Sequence, residues 1–332
     1  MTTRRALVLG GTEFIGVHLV ETLVTSGWRV SLFNRGVTRP EAFAELDHLR
    51  GDRGGDVSAL AGDGWDVAFD LSAFHPDHVS RTAEHLAGTC EHYVLVSSIS
   101  AYASMSSRGI DEDAPLAKID GPVPDEVDNA SYGPLKALCE ERAVELYAST
   151  TIVRPTIVAG PLDPTDRFTY WVQRLSEPGR HVLPPDLREA VQYIDARDLA
   201  AWMVHLGGER VSGAFNAAAQ PLPFDQFTQA ISEVAGVPLR PIQLTPEQLA
   251  AEGVRPWVDL PLWLPPEDTD VSGMFGISTT RAAQAGLRTR PLEETVRDTL
   301  AWLRQRDSTG LRTGLGRERE AELVKRYGGE AA

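Results

Sequence analysis

The chain has 332 residues, of which 42% are hydrophobic and 24% charged, with a formal net charge of −15. That length suits one large domain or two fused lobes, and the composition is that of an ordinary globular protein. The negative field argues against nucleic acid as a partner, and no apolar run approaches the ~18 residues that a membrane span requires.

The opening MTTRRALVLGG runs directly into a strand. Its apolar stretch is broken by Gly10 and Gly11 too soon for a signal peptide, so a cytoplasmic location is expected. Residues 5–11 read as a buried strand and residues 14–26 as a helix. Ile15, Leu19, Val20, Leu23 and Val24 form the helix's apolar face, and Gly27 ends it. A second strand covers 29–34, and residues 66–74 carry another. Pro76 opens a helix to about residue 87, and 92–98 is a further buried strand. Residues 131–149 form a long helix, followed at once by the strand TIVRP. This alternation predicts βαβ units in an α/β fold, with a doubly wound parallel sheet covered on both faces.

After Pro155 prolines become frequent and the elements short. Residues 1–160 are therefore expected to form a dinucleotide-binding domain. Residues 161–332 are expected to be mainly a smaller, irregular α/β substrate lobe, with segments around 190–220, such as GAFNAAA, returning to the first domain. The charged tail GLGREREAELVKRYGGEAA reads as a surface helix that frays. Cys90 and Cys139 read as reduced thiols. His75, His78, His85 and His92 lie close together but lack the partners of a ligand set, so no metal is expected. Trp171, Trp257, Trp263 and Met274 in the second lobe read as core more readily than as pocket lining.

Three constellations carry chemistry. LVLGGTEFIG places glycines between a strand and a helix start, where backbone N–H groups and the helix dipole favour an anion. The spacing of Gly10 and Gly16 fits a pyrophosphate turn, but Glu13 stands where a central glycine is usual. The second strand ends in Asn34 and Arg35 rather than in an acidic residue for a ribose hydroxyl. An arginine beside a neutral residue suits a 2′-phosphate, so NADP(H) is the preferred cofactor, with NAD(H) the alternative. Finally, VLVSSISAY ends a strand in serines, and SYGPLK opens the long helix. Tyr132 and Lys136 share one helical face, so that an ammonium could lower the tyrosine's pKa and make it an acid or base, with a strand-end serine holding a substrate oxygen.

In this order, these stretches resemble the extended short-chain dehydrogenase/reductase superfamily of the NAD-dependent epimerase/dehydratase type, with its Rossmann-type sheet. TIVRPTIVAGPLDPTDRF, QYIDARDLA, GAFNAAA and the terminal ISTTRAAQAGLRTRPLEETVRDTLAWL extend the resemblance over nearly the whole chain. The form GGTxFIG is similar to an atypical branch that includes chloroplast stem-loop-binding proteins. The resemblance implies that Tyr132 is the acid/base, Lys136 its partner and Ser98 the substrate-oxygen ligand, with Ser97 the fallback. It implies that Gly10, Thr12, Phe14, Ile15 and Gly16 hold the pyrophosphate. Asn34, Arg35 and Asp52 would lie at the adenosine end. Leu71, Ser72 and Ala73 would lie beneath the ribose, and Pro155, Thr156 and Val158 beside the nicotinamide. Arg167 stands where nucleotide-sugar enzymes often bind a phosphate, and it could equally pair with Asp163 or Asp166.

No Asp-Glu pair follows the serine, which argues against the dehydration route of the family's sugar 4,6-dehydratases. The acidic segment 103–129 is a solvated loop or a lid over the site. The expected function is an NADP(H)-dependent ketoreductase acting on a small or medium natural-product or sugar carbonyl. A nucleotide-sugar epimerase is the first alternative. A catalytically weak RNA-binding or cofactor-sensing protein is the alternative from another class. A small-molecule substrate is the expected partner, and a homodimer is left open.

Overall fold

The computed structural model describes residues 3–62, 64–265, 270–306 and 310–329. β1 (Arg5–Leu9) is buried on both faces from Ala6 onward, the pattern of a strand in mid-sheet. It leads into α1 (Phe14–Thr25), β2 (Arg29–Asn34) and β3 (Asp47–Arg50). The chain then crosses back to β4 (Val67–Asp70), α2 (Pro76–Leu86), β5 (Tyr93–Val96), α3 (Tyr132–Leu146) and β6 (Thr150–Pro155). A seventh strand, β7 (Gly213–Ala217), joins the far edge.

Counting only the strands of this sheet, the order is β7-β6-β5-β4-β1-β2-β3, all parallel. The direction of winding reverses between β1 and β4, and a doubly wound sheet opens a crevice at the carboxyl ends of such a pair. The strands end where the functional loops begin, so β1 stops at Leu9, before the glycines.

The second region holds α4 (Arg167–Leu175), α5 (Ala196–Glu209), α6 (Phe224–Ala235), α7 (Pro246–Ala251), α8 (Thr280–Gln284), α9 (Leu292–Leu303) and α10 (Arg317–Tyr327). Of these, α5 packs with α1 on one face of the sheet, while α2 and α3 cover the other. Trp171, Phe168, Phe224 and Phe227 centre a separate core under α4 and α6. Trp171 and Trp263 belong to that core, and the Trp171 indole N–H donates to Pro261 O at 2.6 Å.

The charged tail does not behave as the sequence suggests. Within α10, Leu323 and Glu320 are buried, and Glu320 accepts from Arg174 Nε and from Val182 N, the latter at 3.0 Å. A buried carboxylate paired with a buried guanidinium fixes this helix instead of leaving it to fray. No helix among the described residues is long and apolar enough to cross a membrane.

Candidate active site

A cavity of about 510 Å³ opens at the carboxyl ends of β1, β2 and β4. Gly10 and Gly11 line it with φ of +113° and +95°, a region open to glycine but strained for other residues. A Cβ on Gly16 would meet Gly11 Cα at 2.7 Å, so α1 starts directly against the turn. The cradle presents a helix N-terminus to the cavity, the arrangement that binds a pyrophosphate, and these residues fit a dinucleotide. Glu13 is exposed and makes no capping hydrogen bond, although it is the residue that precedes α1.

At the adenosine end, Asn34 Oδ1 accepts from Gly36 N at 2.9 Å and from Arg50 Nη1. Asp52 is exposed on the rim, its Oδ1 accepting from Gly54 N at 2.9 Å. Arg53, beside it, turns inward onto Asp70, donating at 2.9 and 3.1 Å. Asp70 is fully buried and also accepts from Tyr93 OH at 2.6 Å and from Ser72 N at 3.1 Å. His78 lines the same wall, and burial, reinforced by the Arg53 charge, pushes it down to about 4, so its ring is neutral.

Phe74 connects this cavity to the candidate catalytic groups. It lines the cavity, its ring lies 6.4 Å from that of Tyr132, and the Lys136 ammonium sits 5.5 Å from its centroid. Ser98 lies two residues past β5, capping a 3-10 turn, and its Oγ accepts from Ser100 N at 3.1 Å. Tyr132 is the first residue of α3, with Ser98 near enough to act on its phenol. Burial raises the Tyr132 hydroxyl above its ordinary value, while Ser98 and the Arg167 charge pull the other way.

Residues 6–218 match the NAD dependent epimerase/dehydratase family. The chain belongs to that family. The Arabidopsis thaliana chloroplast stem-loop binding protein of 41 kDa b is 28% identical over 255 residues, which are 71% of this chain. The match spans 64% of that relative's length. A Mycobacterium tuberculosis 3 beta-hydroxysteroid dehydrogenase/Delta 5-->4-isomerase is 41% identical over 70 residues, covering 21% of this chain and 19% of that protein. The crystal structure of UDP-glucuronic acid 4-epimerase from Bacillus cereus in complex with NAD superposes with a TM-score of 0.65 at 15% identity. It covers 91% of this chain and 99% of that one, a likeness of fold.

Within this family member, most residues singled out from the sequence converge. Gly10, Thr12, Phe14, Ile15, Gly16, Asn34, Arg35, Asp52, Leu71 and Ser72 all line the cavity. Ala73, Pro155, Thr156 and Val158 are not among its wall residues. Ala73 contributes its carbonyl to Lys136. Pro155 lies opposite Ala217 in the sheet, and Thr156 N donates to Ala217 O at 3.2 Å. Val158 pairs with Ile194 in a two-strand ladder outside the main sheet. Ser97 is removed as a fallback, because its Oγ donates to buried Glu140, which also holds Arg154.

Two charged side chains are held in ways that helical spacing alone does not show. Lys136 was expected to set the tyrosine's pKa. Its Nζ donates to Ala73 O at 2.8 Å and Val96 O at 2.6 Å, and the Arg167 charge also bears on Tyr132, lowering its pKa. The lysine stem is buried along α3, so its ammonium reaches the two nearest carbonyls. Arg167 does not pair with Asp166, which is taken by Arg306 at 2.5 and 3.2 Å. It stacks over Trp257 at 5.0 Å with Asp163 near it electrostatically. Burial pushes the Asp163 carboxyl up to about 6.

Arg53 and Phe74 escaped the sequence reading, and His78 was read there only as a histidine without a ligand set. Asp70, the lone acid closing the apolar strand VAFD, was a usable signal for Arg53.

Proposed function

We propose that this protein is an NADP(H)-dependent ketoreductase of its family, reducing the carbonyl of a small or medium natural-product or sugar substrate. The observation that carries the reading is the nearness of Ser98 to the Tyr132 phenol, whose pKa it lowers, with the Phe74 ring joining Tyr132 to the cavity of the glycine turn. When bound, the reduced dinucleotide supplies the hydride. Ser98 would hold the carbonyl oxygen, and Tyr132 would donate the proton that the oxygen needs as negative charge develops on it. A raised tyrosine pKa keeps that proton in place at neutral pH, which suits an acid. Lys136, bonded to the Ala73 and Val96 carbonyls, fixes the floor of the site between β5 and the residues after β4. Arg167 offers a cation to the substrate side, held by Trp257 and by no carboxylate at ion-pair distance among the described residues.

The absence of an Asp-Glu pair after Ser98, where Ile99 and Ser100 stand, disfavours dehydration. A second reading, a nucleotide-sugar epimerase, is favoured by the likeness of fold to the Bacillus cereus epimerase. The stem-loop binding relative raises RNA as a partner, against which the −15 charge speaks.

The deciding experiment follows NADPH consumption with a panel of ketones and nucleotide sugars, with Tyr132→Phe as control. A reductase consumes NADPH stoichiometrically and loses turnover in Tyr132→Phe. Epimerisation with retained cofactor and none added would favour the second reading. Undiminished turnover in Tyr132→Phe would remove the acid/base assignment from both.

A further inference from the structure

Asn34 and Arg50 occupy paired positions on adjacent parallel strands, at the ends of β2 and β3. Two donors converge on the Asn34 side-chain oxygen: Gly36 N at 2.9 Å and Arg50 Nη1. That convergence fixes the amide. Rotating it would set an NH2 group against two N–H donors, so the oxygen must face them and the Nδ2 must face away. Asn34 lines the cavity, and its Nδ2 is buried with no partner in the protein.

The cation beside it is uncommitted. Arg50 makes no ion pair with a carboxylate among the described residues, whereas neighbouring Arg53 is neutralised by buried Asp70 and Arg29 by Asp47. Gly36, with φ of +72°, leaves room for the Arg50 guanidinium, since a Cβ there would meet Nη1 at 2.5 Å. Arg35 lies on the same lip.

We propose that Arg50, acting with the fixed amide of Asn34 and with Arg35, reads the 2′-phosphate of the cofactor. The reading rests on the NADP(H) preference proposed above and adds a residue that the second strand alone does not contain. Where a family member that binds an unphosphorylated ribose presents an acidic acceptor to its hydroxyls, this lip carries Asn34 and Arg35 at the end of β2, with Arg50 paired beside Asn34 at the end of β3. A phosphate dianion offers only acceptors and charge, which that lip complements. Arg50 therefore serves twice. It holds the Asn34 side-chain oxygen, and it supplies charge. A direct consequence is that Asn34→Asp should both repel the phosphate and restore an acceptor for ribose hydroxyls.

The test measures dissociation constants by calorimetry, with no turnover required. The ligands are NADPH, NADH, 2′,5′-ADP and 5′-AMP, against the full-length chain and its Arg50→Ala, Arg50→Lys and Asn34→Asp variants. Arg50→Ala is expected to weaken 2′,5′-ADP and NADPH about tenfold or more, as for one lost charged contact, and to leave 5′-AMP and NADH within about twofold. Arg50→Lys should recover part of the loss, and Asn34→Asp should shift preference toward the unphosphorylated pair. Equal weakening of phosphorylated and unphosphorylated ligands in Arg50→Ala, or no weakening, overturns the assignment of Arg50 while leaving NADP(H) preference intact. Tighter binding of NADH than NADPH by the unsubstituted protein overturns the cofactor preference itself. Thermal melts of each variant confirm that the lip, and not the fold, has changed.

Discussion

Gly133 lies against the carbonyl of Ser100, at a place where any Cβ would collide with that oxygen. The contact seats the first turn of α3 on the short 3-10 turn Ile99–Ala101 that follows β5, and so sets Tyr132 near Ser98. Gly133→Ala must push the two apart. The expected result is a loss of about 1–3 kcal/mol of stability from overpacking. Turnover should fall by more than about tenfold while cofactor affinity changes little, because a misplaced acid costs positioning and not binding. Melting curves and a kcat-against-Kd comparison check it; a variant that melts early yet turns over normally would show that α3 can shift without disturbing the pair.

The Arg167 charge acts on Tyr132, opposing the rise that burial causes. Arg167→Leu removes that pull, so the tyrosine pKa moves further up. Reduction, which needs the protonated phenol, should keep its neutral-pH rate as far as protonation is concerned. Alcohol oxidation, which needs the phenolate, should require a higher pH, its rising limb moving up. Rate profiles in both directions measure this, and a downward move would contradict the assignment.

Glu13 sits exposed at the lip of the phosphate turn without a capping bond. Solvent screens such a charge, so Glu13→Gly should change the dissociation constant for NADPH by less than about tenfold. A larger gain would mean that the carboxylate points at the pyrophosphate.

His92 is fully buried, its two ring nitrogens each 2.7 Å from a hydroxyl, Ser149 Oγ and Thr151 Oγ1. Burial pushes it down to about 4 from an ordinary value near 6.5. The unfolded chain therefore binds a proton that the folded chain resists. Stability is fully present above pH 6.5 and is lost as pH falls from about 6.5 toward 4, the loss being complete below that. Melting temperature should decline over this window, and His92→Gln should decline less steeply; identical slopes would assign the acid sensitivity elsewhere.

Much of the site was legible because its chemistry is local. The glycine turn, the strand-end serines and the Tyr132–Lys136 spacing all depend on residues near in sequence, and periodicity placed their strands and helices correctly. What was missed depends on pairing across distance. Arg53 reads as a surface loop residue until β4 brings Asp70 beneath it, and Arg50 until the register of β2 and β3 sets it beside Asn34. The contacts of Lys136 were hidden for a related reason: helical spacing fixes which face a side chain is on, but the Ala73 and Val96 carbonyls that take its ammonium come from other segments. The tail was misread because Glu320 counts as a surface charge until Arg174 is placed against it.

The seventh strand has a practical consequence for anyone wishing to exchange substrate lobes between relatives. β7 hydrogen-bonds along β6, yet it is reached only after the chain has passed through α4 and α5. A chimera joined near residue 160 would inherit its outer strand from the donor, and a fragment ending there would carry β6 as a bare edge. Thr150–Pro155 is a wholly buried segment, TTIVRP. Stripped of its neighbour, it would offer unpaired backbone groups to any other strand, so such a fragment should associate with itself. Grafts are best built as two insertions that leave residues 213–217 with the host.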